Sequence, residues 1–217
     1  MHELPATDLR SNVGTWSVAD RQLPALTKQM IDVLEPERYD PSFSGQYLET
    51  TYFDTRDFAL RKARVKGKKY ITIRIRCYSQ SQTPGSQYSE PVYAISAKTE
   101  SKKVRNQIDT EIAEALLGMG GVEANNLAGL LPADVIARVA EISRGEPLVP
   151  VVTLCFHRFA VEDERHRLTL DVDIHSDTGR RYPSHVLEQK STSHEAARLI
   201  SLPLRPIKLS KFLWSTS

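Results

Sequence analysis

Residues 68–78 alternate strictly: Ile71, Ile73 and Ile75 share one face of an extended segment, and Lys68, Tyr70, Thr72, Arg74 and Arg76 share the other. Successive side chains of a strand point to opposite faces, so this pattern predicts a strand that is apolar on one side and cationic on the other. Residues 165–175 repeat it, with Leu168, Leu170, Val172 and Ile174 opposite Arg167, Thr169, Asp171 and Asp173. Shorter alternations pair Ser96 with Lys98 in the strand predicted over 92–99, and Glu188 with Lys190 in the strand predicted over 184–190. Further strands are predicted over 46–53, closed by Asp54, and over 150–162.

Helical spacing is confined to other stretches. Leu23, Leu26, Met30 and Val33 recur at helical intervals within 20–34, with Asp20 as N-cap. A short helix capped by Thr55 is expected over 55–64. Two or three more fall between Asp109 and Ser143, interrupted near Gly118–Gly121 and at Pro132. Residues 79–87 read as a loop, 193–200 as a short helix, and 208–215 as a closing segment. Strands and helices mix without a βαβ rhythm. The fold class is therefore α+β with a mainly antiparallel sheet, in one domain spanning 1–217.

Charge decides how the sheet is used. An antiparallel sheet with one face in water would also alternate. Here, however, the charged positions are few and each sits among strong β-formers. The alternative is an inside-out sheet whose apolar face packs under helices and whose charged face lines a cavity. Arginines side by side in a cavity repel unless an anion joins them, and planar guanidinium groups match phosphate oxygens in pairs. The chain carries 29 basic and 27 acidic residues for a net charge of +2, so anion binding must come from local arrangement. That balance speaks against a nonspecific nucleic-acid coat.

Other chemistries find little support. Cys77 and Cys155 form no disulfide framework or metal motif, and the six histidines have no zinc spacing. Walker A, GxGxxG and GxSxG patterns are absent. Lys102, Lys103 and Arg105 read as a solvated basic turn, with a patch at the cavity mouth as the alternative. MHELPATDLRSN has no apolar core for a signal peptide, and the apolar stretch around Leu127–Ala140 is broken by Pro132, so a cytoplasmic protein without a membrane segment is expected.

Taken in order, these segments resemble the vacuolar transporter chaperone (VTC) domain of the CYTH-like triphosphate tunnel metalloenzymes. The resemblance rests on Tyr52–Thr55, Arg74–Arg76, Phe156–Arg158, Arg167–Asp171, Leu187–Lys190 and Ser210–Phe212. It implies an antiparallel β-barrel of about eight strands flanked by helices. Its basic lining would hold polyphosphate, triphosphate or a nucleoside triphosphate. Arg74, Arg76, Lys98, Arg158, Arg167 and Lys211 would be phosphate ligands, Lys190 would extend the basic wall, and Glu188 would be the main ligand of Mg²⁺ or Mn²⁺. Asp171 and Asp173, on the same face, would either hold metal or orient arginines. Members make polyphosphate from ATP or hydrolyse short phosphate chains, and synthesis implies a membrane partner as an exit path.

Departures from the family pattern bear on activity. With Trp16 in the aromatic place of the first strand, Val13 and Thr15 replace the usual Glu-x-Lys. Thr72 stands where a lysine precedes Arg-x-Arg, with Lys68 or Lys69 as partial compensation, and Ser96 replaces a glutamate. Three readings stay open: a phosphoryl-transfer enzyme of either kind, a degenerate tunnel that binds or senses phosphate chains without turnover, and a scaffold with a solvated charged face.

Overall fold

The computed structural model describes residues 11–37, 43–67, 69–80, 91–193, 197–207 and 211–216. Ten strands form one sheet: β1 (Ser11–Val18), β2 (Glu35–Pro36), β3 (Gln46–Asp54), β4 (Ile71–Gln80), β5 (Val92–Thr99), β6 (Lys103–Ile108), β7 (Val149–Glu162), β8 (His166–Ser176), β9 (His185–Ser191) and β10 (Arg205–Pro206). The hydrogen-bonded order is β10-β1-β9-β8-β7-β3-β4-β5-β6, with β2 beside β7, and every pairing is antiparallel. Among the described residues, β6 and β10 share no ladder. The sheet nevertheless curls on itself: Lys103 on β6 feels the charge of Lys190 on β9, and Arg105 feels Arg158 and Arg167 on β7 and β8. Strands at opposite ends of a path exert such effects only when a common interior brings them together.

On β4 and β5, and on β1, β8 and β9, the isoleucine, leucine and tryptophan face points outward, under helices. Ile71, Ile73, Ile75, Ile95 and Ile108 pack with Leu60 of α2 (Ala59–Val65), Ala113 and Leu116 of α3 (Thr110–Gly118), and Val135 and Val139 of α4 (Ala133–Ser143). On the other flank, Trp16, Leu168, Leu170 and Leu187 pack against Leu26 and Met30 of α1 (Leu23–Val33). The inward face carries the polar alternates together with a separate apolar cluster that includes Leu48, Val152, Leu154 and Phe156.

Several local features differ from expectation. Asp20 lies in a 3-10 turn ahead of α1 and accepts the Nε2 proton of His185 (2.7 Å), so it does not cap the helix. The cap of α2 is chiefly Asp54, whose buried carboxylate accepts the amides of Thr55, Leu60 and Arg61, each at 2.8 Å; Thr55 Oγ1 takes the amide of Ala59. Two orphan helix donors, Leu60 and Arg61, at one carboxylate anchor the helix to the end of β3. Gly14 is required by a close approach, since a Cβ there would meet the Trp16 ring at 2.5 Å. The expected helix over 193–200 falls partly outside the described residues, and 197–200 are not helical. Lys68 and most of the loop expected over 79–87 also lie outside them. The closing segment contains the short helix α5 (Lys211–Ser215). No helix among the described residues is long and apolar enough to cross a membrane.

Candidate functional site

The inward face of β4 sets the chemistry. Arg74 Nε donates to Ser96 Oγ (3.0 Å), and its Nη1 reaches Tyr52 Oη (3.5 Å). Arg76, only 6% exposed, donates from Nε to Thr50 Oγ1 at 2.8 Å. Hydroxyl groups aim these guanidiniums without neutralising them. Burial, then the charge of Arg74, pushes Arg76 down to about 9. Burial alone would raise the Tyr52 phenol, yet Arg74, Arg76 and Lys211 outweigh it and lower that phenol. Tyr78 responds in the same way to Arg76 and Arg105. A cationic field without local compensation fills this wall.

The neighbouring strands add to it. Ser96 pairs with Arg105 and Lys98 with Lys103 in the β5–β6 register, so Lys103 and Arg105 share the inward face. Only Lys102 fits the solvated-turn reading, since it turns outward to Asp134. The alternation Lys103-x-Arg105 was the available signal. Burial pushes the Lys103 ammonium down to about 5, with Arg74, Arg105, Lys190 and Arg76 adding repulsion. Burial also lowers Arg105. Lys98 is exposed at the rim, where partial desolvation and Arg64 lower it. Arg64 comes from α2 and donates to Thr72 Oγ1 at 2.9 Å, placing a guanidinium beside the position that lacks the family's lysine. No periodicity in β4 announces it.

The opposite wall is partly neutralised. Arg158 donates in a fork to Asp171 (Nε to Oδ1 2.6 Å, Nη2 to Oδ2 2.7 Å), and Lys211 of α5 reaches the same carboxylate. Burial would raise Asp171, but these two cations hold it well below the usual carboxylate range. Arg167 donates to Glu37, which burial raises despite that partner, and Glu162 lies near Arg167 Nε at 3.9 Å. Glu37 follows the two-residue β2 and was not among the expected residues. Glu188, half-buried, pairs with Thr15 on β1 and Thr169 on β8, and it acts electrostatically on Arg158, Lys98 and Lys211. Lys190 is close enough to repel Lys103. Arg74, Arg76, Arg158, Arg167, Glu188, Lys190 and Lys211 thus converge on one interior, with Lys98 at its rim.

The carboxylates of the described residues do not form a multi-acid metal centre. Among the described residues no group of three or more His, Cys, Asp or Glu side chains is placed to hold an ion. Asp171 is engaged by two cations. Asp173 does not join it: β8 bulges between the partners of Cys155 and His157, Asp173 takes φ 52°, and it is exposed. The extra residue breaks the alternation from which a shared face was expected. Glu188 has no hydrogen bond or ion pair among the described residues. One such carboxylate suits Mg²⁺ or Mn²⁺ only where phosphate oxygens and water complete the shell, which is the usual manner of Mg²⁺ beside phosphates.

The sequence profile of the VTC domain matches residues 15–205. A candidate adenylate cyclase from Bacillus halodurans has a TM-score of 0.53 to this structure at 18% identity, with 87% of this chain and 82% of that one covered. A candidate adenylyl cyclase from Hippeastrum, described as having a dominant triphosphatase activity, gives a TM-score of 0.53 at 14% identity, covering 86% and 81%. No curated protein sequence matches the chain.

Proposed function

Because the chain belongs to the VTC domain family, we propose that its basic interior grips a triphosphate or polyphosphate and transfers the terminal phosphoryl group to water or to a phosphate chain. The observation that carries this reading is the wall of Arg74, Arg76, Lys103 and Arg105, where Arg74 and Arg76 are aimed by hydroxyls and not by carboxylates and Lys103 meets four further cations. Buried charge without a partner costs several kcal/mol, and a polyanion removes that cost.

In the transfer, the bond between the terminal phosphorus and its bridging oxygen breaks, and a bond to the acceptor oxygen forms. The bridging oxygen leaves with its electron pair on the shortened phosphate chain. Arg74 and Arg76 face the charge that develops there, and Arg105 and Lys103 extend the same wall. Asp171 keeps Arg158 and Lys211 oriented on the opposite side. A divalent ion held by Glu188 together with phosphate oxygens would supply further charge neutralisation. Proton uptake by Lys103 follows from anion binding, because a nearby phosphate favours the ammonium.

Binding without turnover is the second reading. It is favoured by Thr15 beside Glu188 and by Ser96, hydroxyls at positions where the family pattern has charge. Calorimetric titration with tripolyphosphate, with and without Mn²⁺, followed by phosphorus NMR of the mixture, separates the two. Tight binding with new phosphate resonances supports transfer. Tight binding without them supports a sensor, and no binding removes both.

A further inference from the structure

Two arginines of the inner wall are held by carboxylates in different ways. Arg158 meets Asp171 through a fork that engages both oxygens, and Lys211 reaches the same group. Arg167 meets Glu37 through one nitrogen, Nη2, at Oε2. Its Nε is buried without a hydrogen-bond partner among the described residues, and Glu162 at 3.9 Å offers that nitrogen charge alone. The two carboxyls respond accordingly. Asp171 is held well below the usual range, whereas burial raises Glu37 although Arg167 and Arg158 both act to lower it. One ion pair is saturated, and the other is loosely made.

The fold delivers Glu37 to this place. β2 pairs with β7 through Glu35 with Glu162 and Pro36 with Val161, and the amide of Glu37 donates to the carbonyl of Ala160 at 3.1 Å. Residues opposite each other on neighbouring strands share a face, so Glu37 lies on the side of Ala160, between Arg158 and Glu162 along β7. Ala160 is the small member of that row, which leaves room for a carboxylate beside it. Arg105 on β6 feels both Arg158 and Arg167, so this point faces the cationic wall. The ladder fixes the backbone, and a change of partner requires only rotation of the Glu37 side chain.

We propose that Glu37 is an internal rival of the substrate: it holds Arg167 until a phosphate group takes the guanidinium, and it reclaims Arg167 as the phosphate leaves. This deepens the reading above and rests on it. A phosphate offers two oxygens to a fork that Glu37 engages at one nitrogen, so it displaces the carboxylate. The gain at Arg167 is then only the difference between two pairings. Arg74 and Arg76 surrender no carboxylate and give their full contacts. Glu37 thus sets how tightly a phosphate chain is kept, and its return favours release of the product.

A double-substitution cycle tests this, read by calorimetric titration of the whole protein with tripolyphosphate in the absence of metal. Glu37→Gln should tighten binding about tenfold, because the phosphate meets an Arg167 that no carboxylate holds. In an Arg167→Gln background the same change should alter affinity by less than about twofold, since nothing remains to compete for. Unchanged or weaker binding by Glu37→Gln means that the carboxylate only orients Arg167, and it overturns the proposal. Equal tightening in both backgrounds overturns it too, because Glu37 then acts through its field and not by exchange. Glu37→Asp keeps the charge but shortens the reach to Arg167, so it guards against misfolding of the glutamine variant and should tighten binding part of the way. If neither variant folds, Glu37 belongs to the fold and the proposal fails. Tripolyphosphate that does not bind the parent protein removes the triphosphate reading, and the rivalry with it; binding by the parent with any of the overturning results above removes the rivalry alone.

Discussion

Strand β4 presents two surfaces built from consecutive residues that are governed by different physics. Ile71, Ile73 and Ile75 are nearly inaccessible and pack under α2, α3 and α4. Thr72 and Arg76 are also buried and Arg74 is half-buried, yet they face an interior whose arginines meet hydroxyls and other cations. The outer row lowers the free energy of the fold by leaving water. The inner row raises it, because Arg76 is desolvated beside like charge. A costly row placed on the same strand as a stabilising one marks where stability has been given up for binding.

Substitution on the two rows separates these roles most strongly. Arg74→Ala together with Arg76→Ala removes two sets of charge-assisted contacts, each worth about 1.5–3 kcal/mol, so tripolyphosphate affinity should fall about 100-fold to 10,000-fold in calorimetry. The melting temperature should hold or rise, since like-charge repulsion is relieved. Ile73→Ala, one residue away, should do the reverse. It should cost about 2–5 kcal/mol of stability, a drop of roughly 5–15 °C, with intrinsic affinity of the folded fraction unchanged. Comparable destabilisation by both variants would erase the distinction between the rows.

A second comparison sets this exposed field against the neutralised wall. Asp171→Asn leaves Arg158 and Lys211 without their buried carboxylate, so denaturant unfolding should show a loss of about 3–5 kcal/mol. Asp173→Asn, at the exposed bulge, should stay within about 0.5 kcal/mol of the parent. The carboxylate of Asp171 is held below its ordinary value, so its contribution is present above the unfolded value and is lost as pH falls through the folded one. Equal effects at the two aspartates would mean that the forked ion pair is not what secures this wall. Glu188→Gln should leave metal-free affinity equal or tighter and reduce metal-dependent turnover by about 100-fold. Undiminished turnover would remove Glu188 as metal ligand.

The inner row was legible because alternation reports a strand's faces directly. Arg74, Arg76, Arg167 and Glu188 were singled out by that means, and Arg158 by its order along the chain. Lys103 and Arg105 carried the same signal, but together with neighbouring Lys102 they read as a solvated basic turn. Asp173 was misplaced because the bulge uses a non-glycine residue at positive φ, for which the local sequence offers no sign. Glu37 and Arg64 were invisible for another reason. Both reach the interior from outside the long strands: Glu37 by pairing with Ala160 across the sheet, and Arg64 from a helix fixed by the carboxylate of Asp54. Tertiary delivery of a side chain leaves no period to read.

Lys103 gives the finest comparison, between its setting among cations and its setting beside an anion. Its ammonium is pushed down to about 5 by burial and by four neighbouring cations. In the unfolded chain the same group holds its proton to about 10.4. Between those values the unfolded state binds more protons, so this residue makes the ligand-free protein more stable as pH rises. An anion beside Lys103 reverses its environment and recruits the proton. Tripolyphosphate binding above the phosphate's own last ionisation should therefore take up as much as one proton, and affinity should weaken as pH increases. Calorimetry in buffers of different ionisation enthalpy reads the uptake, and urea midpoints across neutral pH read the stability slope. Lys103→Met should lose both effects while keeping most of the affinity, since Arg74, Arg76 and Arg105 remain. If the variant takes up as many protons as the parent, the proton belongs to another group, and Lys103 is charged before the anion arrives.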